Sequence, residues 1–93
     1  GCLFYKMRAG KHRLGPETRV RVEEIDVAAQ AAYTAFLQKA RDAGDWPDGL
    51  SVEAGANYLG EQIALAITQR ASGEDPARIR EMLTLALSVF GRP

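Results

Sequence analysis

Apolar residues recur along most of the chain with the three- and four-residue spacing of an α-helix. Three segments rich in glycine and proline interrupt this pattern, at residues 10–16, 44–50 and 72–75. A short helix is therefore predicted over residues 1–9, followed by three longer ones. The only alternating stretch is too short to indicate a strand and lies inside a helical segment. The pattern predicts an all-α fold.

The second predicted helix, residues 16–43, begins with a proline whose missing N–H costs nothing in the first helical turn. Gly44 is well placed to end it. Val22, Tyr33 and Leu37 broaden an apolar stripe that is predicted to face the core. The stripe itself consists of Ile25, Ala29, Ala32, Phe36, Ala40 and Ala43.

The third predicted helix, residues 52–71, follows Ser51, a favourable N-cap. Gly55 and Gly60 lie inside it, and each costs about 1 kcal/mol of helix propensity, so a close approach by a neighbouring element is expected there. The predicted core stripe contains Val52, Ala56, Leu59, Ile63, Ala66 and Ile67. A second, partly polar stripe contains Tyr58, Gln62, Leu65 and Gln69.

The fourth predicted helix begins with Asp75 as N-cap and Pro76 as the first helical residue. Residues 82–90 are apolar on almost every side. A helix of this kind must be covered all round, and three other helices, one of them short, leave part of it uncovered. We therefore expect a second copy of the chain to cover it, and an antiparallel domain of about four helices.

Length and charge narrow the possible functions. The 93 residues are enough for one domain or part of one, and not for two. The 12 basic residues balance 12 acidic ones, which gives no net positive charge that would indicate binding to nucleic acid or anionic membranes. The longest uncharged run, residues 27–38, is shorter than the roughly 18 residues of a membrane span. Glu23, Glu24 and Asp26 are interpreted as a solvated face, and Trp46 as a side chain that closes a helix end.

Candidate chemistry is sparse. Cys2 and His12 are the only cysteine–histidine pair in the sequence. The sequence shows no pattern of a nucleophile, a base and an orienting group such as a catalytic site requires, and no enzyme activity, cofactor or metal site is predicted. Asp42, Asp45 and Asp48 are three residues apart, which does not match a calcium loop. The last helix offers mainly leucine, alanine and valine, which do not read DNA bases.

The order of breaks and caps is similar to that of a known family. A Gly-Cys-Leu start leads into the first helix, residues 15–19 (GPETR) open a long alanine-rich helix, and residues 44–45 end it. Ser51 then caps a helix that runs into residues 72–79 (SGEDPARI). Over essentially the whole chain, this order resembles the C-terminal half of TetR-type transcriptional regulators.

The resemblance implies the effector-sensing and dimerisation portion of a cytoplasmic bacterial regulator, a repressor released from DNA by a small apolar ligand. DNA binding would belong to an N-terminal helix-turn-helix domain that is absent from these residues. The last two helices would pair with their copies in a homodimer, forming an intersubunit four-helix bundle.

The family pattern also transfers site positions onto this chain. Effectors of this family bind among the helices before the bundle, which makes Phe4, Met7, Tyr33 and Phe36 candidates for a pocket wall. The dimer-interface candidates are Tyr58, Gln62, Leu65, Gln69, Met82, Leu85 and Val89. Leu65 departs from the small residue common in mid-helix in the family, so the register of the bundle is expected to shift.

A second hypothesis belongs to another functional class. A small dimeric helical adaptor that binds a partner protein's helix would share the same helices and the same apolar last segment, and would lack a ligand pocket. An upstream helix-turn-helix pattern in the reading frame would favour the regulator.

Overall fold

The computed structural model describes residues 2–91, and over this range it contains helices and no strands. The predicted all-α class of about four helices is confirmed. The four α-helices are α1 (Cys2–Ala9), α2 (Pro16–Asp42), α3 (Val52–Ala71) and α4 (Pro76–Leu87). Short 3-10 helices cover Lys11–Arg13 and Ser88–Phe90.

The predicted helix ends are formed by the expected local contacts. The Ser51 hydroxyl accepts a hydrogen bond of 3.0 Å from the backbone N–H of Ala54, and the Asp75 carboxylate accepts one from the second residue of α4. Gly44 follows α2 with a φ of 105°, and Gly73 follows α3 with a φ of 84°. Residues other than glycine rarely adopt such positive φ values, because their Cβ atom clashes with the backbone. The three breaks in the sequence therefore act as helix stops.

The best-packed part of the molecule lies between the C-terminal half of α2 and the N-terminal half of α3. Leu37, Val52 and Ala56 are buried there. The Trp46 indole N–H donates to the backbone carbonyl of Leu50 at 2.6 Å, which satisfies its polar atom. The half-buried side chains packed against this core are Tyr33, Trp46, Leu59 and Phe90. Trp46 is thus a core residue as well as a closure for the loop before α3.

The predicted inward stripe of α2 is wrong for two of its large residues. Ile25 is 46% exposed and Phe36 is 66% exposed, whereas Val22 and Leu37 are buried. Only the side of α2 that faces α1 and α3 is covered by other described residues. The two large side chains lie about a fifth to a quarter of a turn away from the middle of that side, and residues 2–91 leave them in solvent.

The described residues form a thin slab. Their extents are 44 × 30 × 17 Å and the radius of gyration is 14.9 Å, compared with about 12 Å for a compact chain of this length. Few side chains are fully enclosed, and several large apolar ones remain exposed.

Within residues 2–91, none of the helices is both long enough and apolar enough to cross a membrane.

Candidate functional site

A cavity of about 290 Å³ opens between α1, α2 and α3. This volume lies near the lower end of the range for small-molecule pockets. Its lining combines aromatic rings, charged groups and amides. The lining residues are Phe4, Tyr5, Arg8, Asp26, Val27, Ala29, Gln30, Tyr33, Asn57, Gly60 and Glu61.

Aromatic rings form one part of the cavity wall. The rings of Phe4 and Tyr5 meet edge to face, with centroids 5.1 Å apart. Tyr33 approaches α3 at Gly60 so closely that a Cβ atom there would lie 3.3 Å from the Tyr33 ring. The glycine inside α3 therefore allows an aromatic side chain of α2 to approach the α3 backbone, as expected from the sequence.

Arg8 joins all three helices around the cavity. Its Nε donates to Asp26 Oδ1 of α2 at 3.0 Å, and its terminal nitrogen donates to Glu61 Oε1 of α3. The hydrogen bond with Glu61, aided by the charge of Asp26, raises the pKa of Arg8 above its ordinary value, although partial burial opposes this. The guanidinium is half-buried and held between two carboxylates, which fixes its position in the wall.

Two further polar contacts shape the cavity. The Gln30 amide donates to Asn57 Oδ1 at 2.7 Å and forms a second cross-link between α2 and α3. Burial, together with the adjacent Tyr33 hydroxyl, raises the pKa of Tyr5 above 10.0, so the phenol stays neutral over a wider pH range. The wall is thus a polar network that includes aromatic faces.

The structure brings together two of the four residues predicted for the effector pocket. Phe4 and Tyr33 line the cavity. Met7 is half-buried but is not part of this lining, and Phe36 projects from the exposed side of α2. Phe36 is therefore separated from the cavity because α2 turns it away from α1 and α3.

Sequence reasoning missed the charged members of the cavity. Asp26 was assigned to a solvated face, but it is half-buried and paired with Arg8. Arg8 and Glu61 attracted no prediction, because a single charge on a helix gives no sign of a partner on another helix. The four-residue spacing of Asp26 and Gln30, one turn before Tyr33, was a usable signal for a polar strip on α2.

The predicted dimer-interface residues lie on α3, α4 and the 3-10 turn that follows. Four of them have exposed side chains, namely Tyr58, Leu65, Leu85 and Val89. Gln62, Gln69 and Met82 are half-buried. The Tyr58 hydroxyl donates to the backbone carbonyl of Ala86 at 2.7 Å, which ties the start of α3 to the end of α4. This set is called the α3–α4 surface below.

The remaining candidate chemistry of the described residues is slight. Within residues 2–91, no three histidine, cysteine, aspartate or glutamate side chains gather as they would around a metal ion. His12 is exposed in the short 3-10 helix after α1. The side chain of Cys2, its conceivable catalytic partner, lies outside the described residues.

No protein-family model, curated protein or solved structure matches this chain. The similarity to TetR-type regulators therefore stays a prediction, based on the order of the helices and their caps.

Proposed function

We propose that this chain is the effector-sensing and dimerisation portion of a TetR-type transcriptional regulator that acts as a repressor. One feature chiefly supports the proposal: the cavity between α1, α2 and α3 is separate from the exposed apolar residues of the α3–α4 surface. A regulator needs two such places, one for the ligand and one for the second subunit. The thin slab adds support, because it leaves apolar area that a second copy would cover.

Helix α3 connects the two places. Asn57, Gly60 and Glu61 face the cavity, whereas Tyr58 and Leu65 lie on the α3–α4 surface within two turns of them. A ligand acts only if it binds more tightly to one arrangement of the subunits than to another. A ligand that contacts Glu61 would shift α3 relative to α2 and thereby change the angle between the subunits.

In the intact regulator, this angle would set the spacing of two helix-turn-helix heads on successive half-sites of DNA. DNA contact would come only through a domain outside residues 1–93, and the protein would act in the cytoplasm. The cavity lining favours a ligand with a polar or charged group over the small apolar ligand that the resemblance implies.

The test of this proposal is the solution mass of the 93-residue chain, measured by light scattering over a series of concentrations. We expect a dimer at about twice 10.1 kDa. A folded monomer at all concentrations would contradict the proposal.

Leu85→Glu and Val89→Glu should each convert the dimer to a monomer, because each would bury an unpaired carboxylate between subunits. Both side chains are exposed in the single chain, at 68% and 46%, so helicity measured by circular dichroism should be retained. Leu3→Glu is the matched control, since Leu3 is 71% exposed on α1, away from the α3–α4 surface. An unchanged dimer in both α4-side variants would mean that another face forms the interface.

The adaptor remains a second candidate because of the outward side of α2. Val20 and Val27 are exposed two turns apart on one side of this helix, which would suit the apolar face of a partner helix. An adaptor has no need of a ligand in the cavity. A small molecule that binds there and changes the dimer would favour the regulator.

A further inference from the structure

The charged groups around the cavity do not balance. Asp26 and Glu61 contribute two formal negative charges, and Arg8 contributes one positive charge. No other lysine, arginine, aspartate or glutamate belongs to the described lining. The wall therefore carries a formal charge of −1, although the whole chain is neutral.

Two of the five N–H donors of Arg8 are directed at protein carboxylates. Its Nε and one terminal nitrogen bind Asp26 Oδ1 and Glu61 Oε1, respectively. An anionic ligand seeking Arg8 would have to approach two carboxylates at close range, where like charges repel. The same contacts use one oxygen of each carboxylate and leave the second free of hydrogen bonds to other described side chains.

These second oxygens are within reach of a ligand. The side chains of Asp26 and Glu61 are 42% and 64% exposed, respectively, and both border the cavity. Carboxylate oxygens accept strong, charge-assisted hydrogen bonds from ammonium groups. Two carboxylates on two different helices can therefore hold one cationic group between α2 and α3.

The aromatic part of the wall suits the same class of ligand. Phe4, Tyr5 and Tyr33 supply rings beside the carboxylates, and the faces of such rings attract organic cations. The rings also give an apolar body a surface on which to pack. A cavity of about 290 Å³ limits that body to a small molecule.

We propose that the cavity binds a small organic cation, a primary amine attached to an aromatic or aliphatic body, with its ammonium group on Asp26 and Glu61 and its body against Phe4, Tyr5 and Tyr33. This inference rests on the proposed function, whose ligand class it specifies. It explains why a polar network lies beside three aromatic rings in one wall.

Three probes of similar shape and different charge test the inference: 2-phenylethylamine, 2-phenylethanol and phenylacetate, titrated calorimetrically into the 93-residue protein at neutral pH. We expect the amine to bind about tenfold more tightly than the alcohol, because it adds cation–π and charge-assisted contacts. Phenylacetate should bind most weakly. Equal affinities, or an order led by the alcohol or by phenylacetate, would overturn the inference.

Charge variants locate the effect. Glu61→Gln should weaken amine binding several-fold, and the double variant D26N/E61Q should reverse the order in favour of phenylacetate, because Arg8 is then the only charge in the wall. Glu81→Gln on α4 is the matched control, with the same charge change on an exposed residue that does not line the cavity. A loss in Glu81→Gln equal to that in Glu61→Gln would also contradict the inference.

The unmodified protein and its three probes give the decisive comparison even if the double variant fails to fold. Absence of binding by every probe at about millimolar concentration would overturn the ligand class. The mass of the dimer tests the proposed function independently, so the two failures are distinguishable.

Discussion

The two ends of the α2–α3 pair use the same helices in opposite ways. At one end, Leu37, Val52 and Ala56 pack together under Trp46 and Phe90, and the interface is apolar. At the other end, side chains of both helices surround a cavity and are joined by Arg8 and by an amide–amide hydrogen bond. One end is closed by apolar packing, and the other encloses a cavity.

A glycine of α3 lies at each end, and the contrast between the two is instructive. At Gly55, an added Cβ would meet Phe90, Leu37 and Trp46 at 3.1 to 3.3 Å. At Gly60, its nearest neighbours would be Tyr33 and Gln30, at 3.3 to 3.4 Å, and both of these border the cavity. The first set of neighbours packs around the apolar core, whereas the second borders the cavity, which gives it open space into which it can move.

The largest effect is expected from Leu37→Ala at the apolar end. Leu37 is only 2% exposed, and its truncation should lower the free energy of unfolding by about 2–5 kcal/mol through lost burial and a residual cavity. Urea denaturation followed by circular dichroism measures this. Leu3→Ala, at an exposed site, should change stability by no more than about 0.5 kcal/mol. Equal losses in the two variants would show that the apolar end is not the stabilising half.

The two glycines should differ in the same assay. Gly55→Ala gains about 1 kcal/mol of helix propensity, but overpacking against three closely packed side chains costs about 1–3 kcal/mol, so a net loss is expected. Gly60→Ala gains the same propensity, and Tyr33 can shift towards the cavity, so its stability should be unchanged or higher. A greater loss at Gly60 than at Gly55 would reverse the comparison.

The smallest effect concerns pH at the cavity end. The pKa of Tyr5 is raised in the folded state, so its contribution to stability is fully present below about pH 10 and is lost as the pH rises through the folded-state value. As the pH rises above about 10, the free energy of unfolding should decrease less steeply in the Tyr5→Phe variant than in the original protein, because the variant lacks this titrating phenol. Urea denaturation at several alkaline pH values compares them. Parallel curves would exclude this role for Tyr5.

Local signals in the sequence predicted the helices but not how they face one another. Ser51, Asp75 and Gly73 act through neighbours a few residues away, so their roles follow from short segments. The exposure of Phe36 depends on what lies beside α2 in space, and an apolar pattern alone cannot supply that information.

The candidate site was harder to foresee than the fold. Phe4 and Tyr33 line the cavity, and they were predicted as wall residues only through the resemblance to TetR-type regulators. The pairing of Arg8 with Asp26 and Glu61 brings together residues 18 and 53 positions apart. Such pairs are set by the packing of three helices, so single positions in the sequence carry no trace of them.

Phe90 has a consequence for how the chain acquires its structure during synthesis. Every residue that lines the cavity is at or before Glu61, so that half can begin to assemble while α4 is still leaving the ribosome. The apolar half needs Phe90 against Trp46, with ring centroids 5.8 Å apart, and therefore closes last. Until Phe90 packs against this core, part of the apolar surface of Trp46 and Leu37 is exposed to solvent. The nascent chain is therefore most prone to aggregation and to chaperone binding before Phe90 is in place.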